Sequence, residues 1–267
     1  MKKKKCIVIG ANGFIGSVIT QEASAQGFEV LPVTRSNYSS LKNTHADLLI
    51  NAAGNSKKYL DARDPVKGFK ESVSDVMSFL HDFQFDFFVH LSSGAIYPHE
   101  GDLKQTTEAA QLDPLAMSNY GFHKWLSESL VSKYAPKSLI LRMGGFVGPG
   151  LKKNAIFDLL TDKPLLVNID SEFQFMDTRD LAKSVFALVS KQTMNHELFN
   201  ISALGTVSLR QIVAWSERKE TDLISDLPIV RAEINLDKVS KILDLPLTET
   251  TVKNFIREAT LDRRMLG

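Results

Sequence analysis

The stretch that most constrains this chain is Cys6-Ile-Val-Ile-Gly10-Ala-Asn12-Gly13-Phe14-Ile15-Gly16-Ser17. The apolar run from Cys6 to Ile9 predicts a buried strand, and apolar residues then continue at helical spacing through Ile19 and Ala23 to Gly27. Three glycines stand between, so strand, glycine turn and helix come in that order. Such a turn brings bare backbone close to a phosphate. No Cβ blocks the approach, and the helix opens with unpaired N–H groups and the positive end of its dipole. A pyrophosphate is the group this suits, which makes Gly10, Asn12, Gly13, Phe14, Ile15 and Gly16 candidate cofactor-binding residues. The spacing is G-x-x-G-x-x-G, not the G-x-G-x-x-G of the commonest dinucleotide fold, so the reading leans on partner residues farther along the chain.

The second predicted strand, Phe28 to Val33, ends in Thr34-Arg35-Ser36. At this place in dinucleotide folds an acidic side chain accepts from a free ribose 2′-hydroxyl, whereas a guanidinium suits a 2′-phosphate. Arg35 without a carboxylate therefore favours NADP(H), with Ser36 as a neighbouring contact and NAD(H) as second choice. A third strand is expected from His45 into Asn51-Ala52-Ala53-Gly54, whose small residues let a second strand end approach the cofactor. About a dozen residues separate it from the second strand, which predicts a shortened excursion in place of the usual helix and strand. Asp64-Pro65 opens a helix. Val66, Phe69, Val73, Val76, Met77 and Leu80 give that helix an apolar face for the core or a subunit interface. Phe85 to Leu91 reads as a fully buried strand running into Ser92-Ser93-Gly-Ala-Ile-Tyr97. After a loop, Ser118-Asn119-Tyr120 opens a helix to about Tyr134 that puts Tyr120 and Lys124, at i and i+4, on one face.

The chain has 267 residues, 43% of them hydrophobic, enough for one large α/β domain with or without a smaller lobe. A net charge of +1 gives no reason to expect nucleic acid or a membrane surface as partner. Lys2 to Lys5 read as a solvated lead-in to the first strand. The single cysteine, Cys6, excludes an internal disulfide and reads as a buried structural thiol. A reducing, cytoplasmic location fits, since no apolar run is long enough to cross a bilayer and no separate signal segment stands out. The six histidines show no metal-ligand spacing, so no metal is expected.

In this order the motifs resemble the short-chain dehydrogenase/reductase superfamily, and within it the extended branch, the NAD-dependent epimerase/dehydratase family. Leu141-Arg142-Met-Gly-Gly-Phe-Val-Gly148-Pro149-Gly150, Phe175-Met-Asp177-Thr-Arg-Asp180-Leu-Ala, Leu198-Phe-Asn200-Ile and Leu245-Pro246 are similar to that family as well. The resemblance implies an α/β fold, a Rossmann-like doubly wound parallel sheet with a small C-terminal substrate lobe. Residues 1–150 would be mainly dinucleotide-binding and 151–267 mainly substrate lobe, with 175–201 returning to the Rossmann part. Predicted helices there are Asn154 to Leu160, Arg179 to Ser190, one capped by Ser208 and running to about Lys219, Asp237 to Leu243, and Thr248 to Leu261.

The same resemblance carries catalytic roles to Ser93, Tyr120 and Lys124. Tyr120 would give a proton to the substrate oxygen as hydride leaves the nicotinamide, and Ser93 would hydrogen-bond that oxygen. Lys124 would hold the nicotinamide ribose and lower the proton affinity of the phenol, which ordinarily titrates at about 10. A homodimer through the helices at Pro65 to His81 and Asn119 to Tyr134 is implied too. Three features depart from the family. The 36–46 region is too short for the strand whose acidic end meets the adenine. Ser72 stands where a relay Asn is common, and Phe173 and Gln174 replace an arginine of many nucleotide-sugar enzymes. The expected function is NADP(H)-dependent reduction of a carbonyl, with a 4-keto group on a nucleotide-activated deoxysugar as leading substrate. A nucleotide-sugar epimerase with tightly bound NAD is the alternative among enzymes. A non-enzymatic dinucleotide-sensing protein is the alternative outside them, and it has no use for Ser93, Tyr120 and Lys124 together.

Overall fold

A computed structural model describes residues 3–55, 58–191, 195–216 and 226–267. Its elements are β1 (Lys5–Ile9), α1 (Phe14–Ala25), β2 (Glu29–Val33), β3 (His45–Asn51), α2 (Lys58–Arg63), α3 (Pro65–Phe69), α4 (Asp75–Asp82), β4 (Gln84–Leu91) and α5 (Asn119–Tyr134). Then come β5 (Ser138–Met143), β6 (Gly145–Val147), α6 (Ala155–Leu160), β7 (Glu172–Phe173), β8 (Phe175–Asp177), α7 (Thr178–Ser190) and β9 (His196–Ile201). The last are β10 (Val207–Ser208), α8 (Leu209–Trp215), β11 (Arg231–Ala232), α9 (Asp237–Ser240) and α10 (Thr248–Leu261). They fall into two compact units, one of Met1–Pro98, Glu108–Met143 and Ala182–Asn200, the other of His99–Thr107, Gly144–Leu181 and Ile201–Gly267.

The first unit is built on a six-stranded parallel sheet of order β2-β1-β3-β4-β5-β9. Its central strands read as near-continuous apolar runs because both faces are covered. On one face Ile7, Leu49, Phe88 and Ile140 pack against Val76, Phe79 and Leu80 of α4 and Val131 of α5. Alternation turns Cys6, Val8, Leu48, Ile50 and Val89 to the opposite face, where they are fully buried as well. Cys6 lies there with no exposed surface, and burial pushes its thiol up to about 12.

Strand register decides where chemistry can gather. Ile9 pairs with Val33 and with Asn51, Asn51 with His90, and Leu91 with Leu141. The glycine turn, Thr34-Arg35, Ala52-Ala53-Gly54 and Ser92-Ser93 therefore all leave the sheet at one edge, the carboxyl ends of parallel strands where ligands of such sheets bind.

Between β2 and β3 the chain makes only one short 3₁₀ turn, Ser39–Leu41. The excursion is short, as expected, and Tyr38 fills the space beside it: its ring packs on Phe79 and Phe83 and its hydroxyl donates to Asp82 Oδ2 at 2.6 Å. The helix that Asp64-Pro65 opens is interrupted by a π-helical turn at Lys70–Ser74. An extra residue in that turn rotates the face. Val73, Val76 and Leu80 are buried while Val66 and Phe69, on the same predicted stripe, are exposed. Lys5, read as part of a solvated lead-in, belongs to β1, and its N–H donates to Asp47 Oδ2 at 2.7 Å. Lys2 lies outside the described residues.

The second unit holds the three-stranded sheet β10-β7-β11 and the pair β6-β8. Gln174 is buried there, its amide bonded to the carbonyl and N–H of Ile234 at 3.3 and 3.1 Å. It is spent on backbone and cannot stand in for the missing arginine. Ser208 and Gln211 form a reciprocal capping box at the start of α8. The predicted end of that helix at Lys219 lies outside the described residues, and α9 stops at Ser240, short of the predicted Leu243.

Candidate active site

At the β1–α1 turn Gly10 has φ +79, and a Cβ there would sit 2.9 Å from Ala53 N and 3.0 Å from the Ala52 carbonyl carbon. Two strand ends are thus in contact, and only glycine admits both the conformation and the approach. Gly16 is buried against the Gly10 carbonyl. Gly13 is the N-cap of α1 with no side-chain cap, Asn12 and Gly13 are exposed, and Phe14 and Ile15 are half-buried. The first-turn N–H groups lack intrahelical acceptors, and no side chain competes for them. These residues fit a pyrophosphate.

The turn after β2 is braced from within. Asn37 Oδ1 accepts from the N–H and hydroxyl of Thr34 at 2.7 and 3.2 Å, and Asn37 Nδ2 donates to the Pro32 carbonyl at 2.9 Å. Thr34 and Ser36 hydroxyls are 2.9 Å apart. Arg35 and Ser36 are exposed on this fixed turn, and among the described residues no carboxylate pairs with Arg35. The arrangement fits a 2′-phosphate.

Helix α5 starts with Ser118, whose hydroxyl oxygen accepts from Gly121 N at 3.1 Å. A Cβ on Gly121 would collide with the Ala95 carbonyl oxygen, so its absence lets the first turn of α5 lie flat against the 3₁₀ turn Gly94–Ile96. Ser93 opens that turn by accepting from Ala95 N at 3.2 Å. The Tyr120 turn and the Ser93 turn are thereby brought together. Tyr120 and Lys124 are buried, unlike an ordinary i, i+4 surface pair. Lys124 Nζ lies 5.8 Å from the Tyr120 ring centroid and would be 3.3 Å from a Cβ on Gly54, so the bare backbone of Gly54 leaves room for the ammonium. Among the described residues no carboxylate is within ion-pairing distance of it. Burial pushes its pKa down to about 8, with Glu128 and Asp61 opposing from farther off.

Several neighbours were not foreseen from sequence. Asp61, fully buried, accepts from Asn55 Nδ2 and pairs with His123 Nδ1 at 2.9 Å, while Asn119 Nδ2 donates to its backbone carbonyl at 3.2 Å. His123 is therefore buried and paired. Glu128, one turn beyond Lys124, takes Arg142 Nη2 at 2.8 Å and Ser92 Oγ at 2.6 Å. Its only sequence signal is the continued four-residue step from Tyr120 through Lys124. Ser72 is buried in the π turn, and its hydroxyl has no partner among the described residues. Among the described residues no group of three or more His, Cys, Asp or Glu could hold a metal, and no described helix is long and apolar enough to cross a membrane.

Comparison with protein families matches residues 6–202 to the NAD dependent epimerase/dehydratase family. Comparison with curated proteins finds no match. Among solved structures, a UDP-galactose 4-epimerase is 21% identical over 95% of this chain and 99% of its own, with a TM-score of 0.76. A dTDP-4-dehydrorhamnose reductase from Bacillus anthracis, in complex with NADP, is 15% identical over 97% and 99%, with a TM-score of 0.74. A UDP-glucose 4-epimerase from Thermotoga maritima with UDP-glucose is 14% identical over 97% and 100%, with a TM-score of 0.78. At these identities the likeness is one of fold.

Proposed function

Because this chain belongs to the NAD-dependent epimerase/dehydratase family it is an NAD(P)-dependent enzyme, and we propose that it uses NADP(H) to reduce a carbonyl, a 4-keto group on a nucleotide-activated deoxysugar. The observation that carries the choice of reduction is Arg35, exposed on a braced turn that holds no carboxylate. A 2′-phosphate gains a charge-assisted pair there, and an exchangeable NADPH suits net reduction. The reductase of the same fold that was solved with NADP supports this reading.

When bound, the nicotinamide supplies the hydride. Tyr120 gives its phenolic proton to the carbonyl oxygen as that oxygen gains negative charge, so the product is the neutral alcohol. Ser93 hydrogen-bonds the same oxygen. Lys124 holds the ribose and, as a buried cation beside Tyr120, stabilises the phenolate left behind. Gly10, Gly13 and Gly16 cradle the pyrophosphate, and Ala52, Ala53 and Gly54 close the other side of the crevice. We further expect a homodimer through α3, α4 and α5. Val66 and Phe69, 80% and 42% exposed, supply apolar surface for it.

Epimerization with tightly held NAD is the second reading, favoured by the two epimerases of the same fold. Mass spectrometry of nucleotide released from the purified protein separates the two. NADP(H) or no nucleotide supports reduction, and stoichiometric NAD supports epimerization. Oxidation of NADPH on addition of dTDP-4-dehydrorhamnose is the direct activity assay. A panel of other 4-keto nucleotide sugars extends it.

A further inference from the structure

A directed chain of hydrogen bonds, buried except for its partly buried first link, joins the end of β3 to α5. Ala53 N donates to Asn51 Oδ1 at 3.0 Å, which leaves the Asn51 amide nitrogen to face His90 Nδ1 at 3.2 Å. Ser127 gives its one proton to the Lys124 carbonyl at 2.7 Å, so its oxygen accepts from His90 Nε2 at 3.0 Å. Each donor meets one acceptor, and the imidazole is fixed as the neutral Nε2–H tautomer. Asn51, His90 and Ser127 are at most 1% exposed. Burial, with the charge of Lys124 nearby, pushes His90 down to about 3, so it stays neutral. A second ring proton would set N–H against the N–H of Asn51.

Packing alone does not call for this ring. Its neighbours in β4 are Phe87, Phe88, Val89 and Leu91, and another apolar side chain would fill the place without needing partners. What the imidazole adds is a fixed spacing. One nitrogen holds the side chain that braces the Asn51–Gly54 turn, and the other holds the serine that bonds the backbone of Lys124.

We propose that His90 is a positioning residue that sets the Asn51–Gly54 turn and Lys124 relative to each other, so that dinucleotide binding depends on a side chain buried behind the site. This rests on the proposed dinucleotide-binding role of that turn and Lys124.

The test compares wild type with His90→Phe, which keeps a ring and loses both nitrogens, and with His90→Asn, which keeps an acceptor near the Nδ1 position. NADPH affinity is read by calorimetry, and amide hydrogen exchange at Ala53 is read in the cofactor-free protein. His90→Phe should raise the NADPH Kd roughly tenfold and speed Ala53 exchange by a similar factor, the scale of one lost buried hydrogen bond. His90→Asn should restore both most of the way. An affinity and an Ala53 exchange rate unchanged in His90→Phe would overturn the proposal. If His90→Phe does not fold, Ser127→Ala carries the same expectation for affinity at a few-fold level. A nitrogen-15 spectrum adds a signature that mere packing does not require: the His90 ring protonated at Nε2 supports the chain, and protonation at Nδ1 overturns it. If wild type binds neither NADPH nor NADH, the dinucleotide reading fails, while exchange and tautomer in the free protein still decide the role of His90.

Discussion

Helix α5 carries two buried charges one turn apart, and their surroundings are opposite. Glu128 accepts from Arg142 Nε at 3.1 and 3.2 Å, from Nη2 at 2.8 Å and from Ser92 Oγ at 2.6 Å. Arg142 in turn donates to Tyr97 Oη at 2.9 Å, and Tyr97 donates to Asn200 Oδ1 at 2.8 Å. Burial alone would lower the guanidinium's hold on its proton, but Glu128 and Tyr97 outweigh it and raise it above the ordinary arginine range. Among the described residues Lys124 has no such partners, and burial wins there. A buried charge with every partner in place holds a fold together. One left short of partners sits at a cost to the fold and is available to a ligand.

The sharpest way to break this comparison is at the paired end. Glu128→Ala leaves Arg142 buried and uncompensated, and should lose about 3–5 kcal/mol of stability in chemical denaturation. Replacing both partners, Glu128→Leu with Arg142→Met, should recover most of that loss. A loss for Glu128→Ala no larger than an exposed pair gives, about 0–1 kcal/mol, would mean that the network is ornamental.

Around Lys124 and the proposed cofactor site the expected effects fall on turnover and binding. Tyr120→Phe should lower turnover by roughly 10² or more with NADPH affinity nearly intact, as for loss of a general acid. Near-normal turnover on the true substrate would remove Tyr120 from the chemistry. Arg35→Asp should shift the NADPH-to-NADH affinity ratio by about ten- to a hundredfold toward NADH. Calorimetry at one salt concentration reads it, since screening weakens exposed pairs. Wild type binding both cofactors equally would reduce Arg35 to a surface arginine and move the balance toward epimerization.

What was legible in the sequence was local. The glycine turn, the Asp64-Pro65 start and the Ser118 cap each act within a few residues, so pattern and outcome coincide at β1–α1, α3 and α5. The shortened β2–β3 excursion was legible from length alone, but not its plug, because Tyr38 meets Asp82 across 44 residues. The π turn had no compositional mark, and Val66 and Phe69, which precede it, lie off the buried stripe. The polar partners of the site were hidden for a different reason. Asn51 and His90 meet through strand register, and Asp61 and His123 through helix packing, so each reads as an isolated polar residue until the sheet is assembled.

The central claim, that Lys124 is held charged against the interest of the fold, is tested by denaturing wild type and Lys124→Met across pH. The folded-state pKa of Lys124 is depressed to about 8 from an ordinary 10.5. Between those values the unfolded chain binds more protons than the folded one, so this group makes stability rise with pH across that window. Its penalty is fully present below about pH 8 and is relieved as pH climbs toward 10.5. Lys124→Met removes the penalty. The variant should be more stable than wild type at neutral pH by on the order of 1–3 kcal/mol, with the gap closing in alkali and NADPH bound more weakly. A Lys124→Met protein less stable than wild type at neutral pH, with unchanged NADPH affinity, would contradict the account.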